Sequence, residues 1–151
     1  MSPGALTTAD YRTLLAFRTA LTRFLHWSAE QLGRAGLTPQ QHNLLLAIRG
    51  HPGSCGPSIR EIAEYLALRH HTAVELVDRV QQAGLVKRCS DPRDRRIVRV
   101  QLTGSGKRLV ARLDAAHREE LRQIAPALGI IYQSLGVPAP DTGEEAAEKS
   151  D

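Results

Sequence analysis

The stretch Arg69–Thr103, RHHTAVELVDRVQQAGLVKRCSDPRDRRIVRVQLT, determines how the rest of the chain is to be read. In its first half the apolar residues Val74, Leu76, Val77 and Val80 recur at helical spacing, and Gly84 supplies the residue that ends a helix. In its second half the period changes. LVKRCS (85–90) and IVRVQL (97–102) alternate apolar and polar residues as half-buried strands do, with DPRDRR (91–96) as the turn between them. The order is helix, glycine stop, strand, charged turn, strand. It predicts a recognition helix running from about His70 to Ala83, followed by a β-hairpin wing with arginines at its tip. Such a pair suits duplex DNA: the helix enters one groove and the basic wing reaches the next.

The upstream sequence agrees. Ser58-Ile59-Arg60-Glu61 is a capping box that opens a short helix with Ile59, Ile62, Ala63, Leu66 and Leu68 toward the core. A break near residues 67–69 then gives helix, turn, helix. HPGSCGP (51–57) holds two prolines and two glycines and reads as a loop. Before it, Thr38 caps a helix that has Pro39 at its first position and runs to Gly50. A long helix is predicted from Thr8 to about Ala35, with Leu14, Phe17, Leu21, Phe24 and Ser28 on one stripe widened by Leu15, Leu25 and Leu32.

Downstream, Thr103 caps a last long helix carrying Leu109, Val110, Leu113, Ala116, Leu121 and Ile124. Pro126 interrupts an apolar pattern that resumes through Leu128, Ile130, Ile131 and Leu135, which predicts a kink or a helix break. The fold expected is mainly α with a small β-hairpin wing. Residues 1–7 form a flexible start and 8–136 a single domain. Within it, a DNA-binding winged helix covers about 38–103, between dimerisation helices at about 8–35 and 104–135. Residues 137–151 have nothing to bury and are expected to be a disordered tail. Both terminal helices are apolar over more than one face, which favours burial against a second copy, a homodimer, over coverage of one monomeric core.

Composition is consistent with this. The 151 residues include only six aromatics, so the core must be built from Leu, Val, Ile and Ala, which favours helix packing. The net charge of +4 is uneven. Residues 141–151 hold Asp141, Glu144, Glu145, Glu148 and Asp151 against Lys149, a balance of −4, which leaves +8 on residues 1–140. A basic body with an acidic tail points to a polyanionic partner. Cys55 and Cys89 make no CxxC, so neither a disulfide framework nor a cysteine-rich zinc site is implied, and no cofactor is expected. The N-terminus lacks the charged start and apolar run of a secretory signal, and no apolar run reaches membrane-spanning length, so a cytoplasmic location without membrane contact is expected.

The chain resembles the MarR family of winged helix-turn-helix regulators. GLTPQQHNLLLAI (36–48), SIREIAEYL (58–66), LVDRVQQAGLVKR (76–88) and DPRDRRIVRVQLTGSGKRL (91–109) carry the likeness, above all the Asp-x-Arg-Asp-x-Arg wing followed by Leu-Thr and a helix. It spans about residues 10–135. The resemblance implies a homodimer on a pseudo-palindromic operator, with repression relieved by a small molecule, an oxidant or a metal.

The residues expected at DNA follow. Arg60, at the start of the short helix, would contact a phosphate. His70, His71 and Thr72 open the recognition helix, where side chains reach base edges. Glu75 can accept from a cytosine amine or pair with Arg79, and many family members carry a basic or small polar residue at this place. Arg93, Arg95 and Arg96 form the wing, and the resemblance assigns the minor-groove role to Arg96. Asp91 or Asp94 would orient Arg96 or Arg88 through a bidentate pair.

The resemblance also places His26, Trp27, Glu30, His42 and His117 on the helices that frame the effector cleft. Trp27 for stacking and His26 or His42 for hydrogen bonding would suit a small aromatic effector, although Trp27 is equally a core or interface residue and the histidines surface ones. A zinc-responsive variant would draw on His42 and His117, but Leu121 stands where a second histidine would complete the set. A redox-responsive variant would rely on Cys89 beside Arg88, whereas the bland role for Cys89 is that of a small buried hydrophobe. No Gly-rich phosphate loop, HExxH or GxSxG is present, so an enzyme is not expected. The remaining rival is a winged-helix module used for protein contacts.

Overall fold

The computed structural model describes residues 5–136. The element order is α1 (Thr8–Arg34), α2 (Pro39–Gly50), α3 (Ile59–Tyr65), α4 (His70–Gln82), β1 (Val86–Ser90), β2 (Val98–Leu102) and α5 (Gly104–Ser134). The chain forms two compact units, one of residues 26–119 and one of residues up to 25 together with those from 120.

The 26–119 unit holds all sixteen buried hydrophobic residues among those described. Leu32, Leu44, Leu45, Ile62, Val77, Val80, Val86, Val100 and Val110 are its most deeply buried aliphatics. Its helices start where the local chemistry directs. The Thr38 side chain accepts from the Gln41 N–H, and the Gln41 side chain accepts from the Thr38 N–H. Ser58 and Glu61 make the same reciprocal pair ahead of α3. Thr103 accepts from the Gly106 N–H and donates to the Gly84 carbonyl, so the start of α5 is fastened to the residue that ends the recognition-helix segment. On α4 the buried set is Ala73, Leu76, Val77 and Val80; Val74, expected there, is half-buried because Ala73 faces the core more directly.

β1 and β2 pair antiparallel, with Val86 opposite Leu102, Arg88 opposite Val100 and Ser90 opposite Val98. The 51–57 loop lies along the other edge of β2: the Val100 N–H donates to the Pro57 carbonyl at 2.9 Å and Ser58 bridges to Arg99. Gly56 (φ +79°) and Gly106 flank this hairpin. A Cβ on Gly56 would collide with the Val100 carbonyl, and one on Gly106 with the Leu85 carbonyl.

The second unit contains residues 8–25 of α1 and 120–134 of α5. Thr7 caps α1 by accepting from the Asp10 N–H while Asp10 accepts from the Thr7 N–H. No described residue of this unit is buried, and Tyr11, Leu15, Leu25, Leu121 and Ile130 are exposed. Pro126 does not end α5, which continues to Ser134. A proline removes only its own N–H from the ladder, and flanking turns that keep their bonds can carry the helix through. The expected acidic tail at 137–151 lies outside the described residues. No helix among the described residues is long and apolar enough to cross a membrane.

Candidate nucleic-acid interface

α3 and α4 are joined by Leu66–Arg69, where Ala67 takes φ +51° and the Leu68 N–H returns to the Ala63 carbonyl at 2.9 Å. Arg69 is the N-cap of α4 and makes no side-chain cap bond. His70 and His71 are exposed in the first turn, and Thr72 is half-buried. A helix start presenting unfastened donors and a positive dipole end favours anionic partners. One turn on, Glu75 pairs with Arg79 at 3.6 Å, leaving its carboxylate turned along the helix. Arg60 lies on the exposed side of α3 and pairs with Glu64 at 3.1 Å.

The hairpin tip is organised by two carboxylates with different tasks. Asp91 is buried. Its Oδ1 accepts the N–H groups of Arg93 (2.7 Å) and Asp94 (3.0 Å), and its Oδ2 accepts from Arg99 Nε at 2.8 Å. The Asn-or-Asp turn so formed shapes the tip. Arg99, backed by those two N–H donors, holds the Asp91 carboxyl below its ordinary value. Asp94 takes Arg96 in a fork, Oδ1 on Nε and Oδ2 on Nη2, both at 3.1 Å, and this bond lowers the Asp94 pKa. Arg96 nevertheless keeps 90% of its side chain exposed, with Nη1 outside the fork. Arg93 and Arg95 are exposed beside it.

Arg99 is the residue that sequence reading missed. Besides Asp91 it donates to Glu61 Oε2 at 2.8 Å, so one guanidinium joins the wing turn to the capping box of α3. Glu61 is held low first by the Ser58 N–H and further by Arg99. The available signal was an arginine at the second position of a five-residue strand, between two valines, a place where an unpaired charge is costly. Arg88 also departs from expectation. It is held by Asp78 and Gln81 of α4, both at 2.6 Å, not by Asp91 or Asp94, because its side of β1 faces the helix.

Of the expected effector residues, three converge. Trp27 meets His117 edge to face with centroids 5.1 Å apart, and His42 stacks on His117 at 4.8 Å. His117 Nδ1 donates to the Leu113 carbonyl, so in the neutral ring Nε2 accepts from the Ser28 hydroxyl, each at 2.7 Å. His42 Nε2 donates to Asp114 at 2.8 Å. Both histidines are 6% exposed. His26 and Glu30 point outward instead and take no place in this group. Among the described residues no three His, Cys, Asp or Glu side chains converge as a metal site. Cys89 is half-buried with its thiol toward the Arg99 carbonyl at 3.7 Å, and Cys55 is half-buried.

An α2–α3–α4 scaffold with a two-stranded wing, basic at its tip, is a winged helix-turn-helix. Residues 35–97 match the model of the MarR family. The transcriptional repressor MdtR of Bacillus subtilis is 31% identical over 77 residues, which is 51% of this chain and 48% of MdtR. PecS of Dickeya dadantii, a transcriptional regulator, is 33% identical over 90 residues, 58% of this chain and 53% of PecS. The chain thus spans about half the length of the curated relatives it matches. The structure of MepR, a transcription regulator of the Staphylococcus aureus multidrug efflux pump MepA, superposes with TM-score 0.68 at 21% identity, covering 86% of this chain and 99% of MepR. MepR bound to DNA superposes with TM-score 0.63 at 21% identity, over 81% of this chain and 85% of MepR. Residues 35–97 thus form a MarR-family segment.

Proposed function

We propose that the protein is a homodimeric regulator of transcription that binds a pseudo-palindromic duplex operator. α4 enters the major groove with His70, His71 and Thr72 at the base edges, with Glu75 and Arg79 one turn behind. Arg60 takes a phosphate, and the Arg93–Arg96 tip reaches the minor groove. The observation that carries this reading is the pairing of an exposed start of α4, without a side-chain cap, with a wing whose Arg96 is oriented by Asp94 yet 90% exposed. Asp91 and Asp94 orient the tip, while Arg88 sets the wing against α4. The exposed apolar residues of α1 and α5 support the dimer. MdtR, a repressor, supports repression as the mode, and the family likeness supports relief by a small effector.

Selection from random duplex DNA at two salt concentrations tests this. The expected product is a pseudo-palindrome with half-sites about 10 bp apart, bound more weakly as salt rises because counterions compete for the phosphates. No enriched sequence at either salt would replace this reading with a protein-interaction module.

A further inference from the structure

A concavity of about 440 Å³ lies between the C-terminal end of α2, the 51–56 loop, the base of the hairpin and the first turn of α5. Three cations from three elements line it: Arg49 of α2, Lys87 of β1 and Lys107 of α5. No aspartate or glutamate lines it, and none of the three cations joins an ion pair among the described residues. The adjacent cleft against the wing turn differs, because there Arg93 and Arg99 are matched by Glu61 and Asp91. Like charges around one space repel, so three of them without a carboxylate make a locally positive cavity that an anion relieves. The volume falls in the range of roughly 300–1,000 Å³ that small-molecule sites occupy.

Local preference does not account for these charges. Arg49 has an ordinary explanation, since a cation in the last turn of a helix complements the dipole. Lys107 has the opposite setting. It lies in the first turn of α5, where the helix end is itself positive and an acidic residue is the favourable choice, and that turn contains none. The chain has only three lysines among its 20 basic residues, and two of the three meet here. A lysine ammonium is a compact point charge that can approach a tetrahedral phosphate from any side, whereas a planar carboxylate is matched best by the arginine fork. Uncharged donors line the same cleft. The Ser54 hydroxyl makes only a long contact of 3.9 Å to Cys55 Sγ. His51 holds the Tyr65 hydroxyl at Nδ1, and its Nε2 stands against Gly53, 2.9 Å from where a Cβ would lie. The cleft is set apart from the wing tip: Lys87 is next to the Val86–Leu102 pair at the hairpin base, about 10 Å along the strand from Ser90.

We propose that this cleft binds a free small oligophosphate, with Arg49, Lys87 and Lys107 around a diphosphate group. The binding does not rest on the DNA-binding reading above. Calorimetric titration of inorganic pyrophosphate into the full chain at fixed ionic strength tests it, with citrate, a tricarboxylate of similar charge, as the control. Pyrophosphate is expected to bind at one site per chain and at least ten-fold more tightly than citrate. Lys87→Gln and Lys107→Gln together should weaken it ten-fold or more. Arg93→Gln and Arg95→Gln together, which remove the same charge from the wing tip, should change it less than two-fold. Circular dichroism should stay that of the parent in both. No saturable heat, equal binding of citrate, or equal weakening by the two pairs of substitutions overturns the site. The same chains are then titrated with a duplex of random sequence at several salt concentrations. Duplex affinity and salt dependence that stay unchanged without Lys87 and Lys107 support a free ligand. A logarithmic salt slope that falls by about two makes the cleft part of the DNA path and overturns the free-ligand assignment. A parent chain that binds no duplex overturns the DNA-binding reading while the calorimetric result stands.

Discussion

Residues 26–119 close a core around Leu44, Leu45, Ile62, Val77 and Val100; residues 8–25 and 120–134 are helical throughout and hold no fully buried residue. Both regions are leucine-rich. The difference is that the first has partners for its apolar stripes within the same unit, whereas Leu15, with 67% of its surface exposed, and Leu25, Leu121 and Ile130 present theirs outward. Helical periodicity therefore reports that a stripe will be covered, not by what. The contrast separates apolar residues buried within their own unit from apolar residues left exposed.

Substitutions can break or sharpen that division. Leu45→Ala, in the closed core, is expected to cost about 3 kcal/mol in denaturant unfolding; a loss under about 1 kcal/mol would mean that the core is looser than its burial implies. Leu15→Glu should leave helix content intact yet give a monomer in sedimentation and weaken operator binding about 100-fold, since two linked half-sites become one. An unchanged sedimentation coefficient would place the α1 stripe among residues that need no partner. Arg96→Ala belongs to neither class. It should weaken operator binding about ten-fold with the thermal melt unchanged, and equal loss of both would make Arg96 a structural residue.

The smallest effect concerns Asp91. Its carboxyl is depressed in the fold, mainly by Arg99, so the stability it contributes is complete above the ordinary carboxylate pKa of about 3.9 and is lost as pH falls through the depressed value. Asp91→Asn should accordingly be less stable than the parent at neutral pH, with the gap closing under acid. A gap that persists at low pH would assign Asp91 a role in packing rather than charge.

Capping boxes at Thr38 and Ser58, the glycine stop at Gly84 and the period change at Leu85 are local signals, and the helix starts, the α4 terminus and the hairpin follow them closely. What escaped reading depends on distant residues meeting. Arg99 looks like an ordinary strand position until Glu61, thirty-eight residues earlier, comes beside it. Arg88 took Asp78 and Gln81 across the helix–strand junction, although two aspartates lay closer in sequence. His26 and Trp27 are adjacent in sequence, yet a helix turns successive residues about 100° apart, which brings one to His117 and leaves the other outside.

Gly56 and Gly106 have a consequence for inheritance. Each seats the hairpin by lacking a side chain, so nearly every missense change at either codon would displace the wing without altering one of the residues proposed to face DNA. A mutational scan scored on operator occupancy would rank these two glycines beside the wing arginines. Only an abundance measurement run in parallel would tell a damaged mount from a damaged contact.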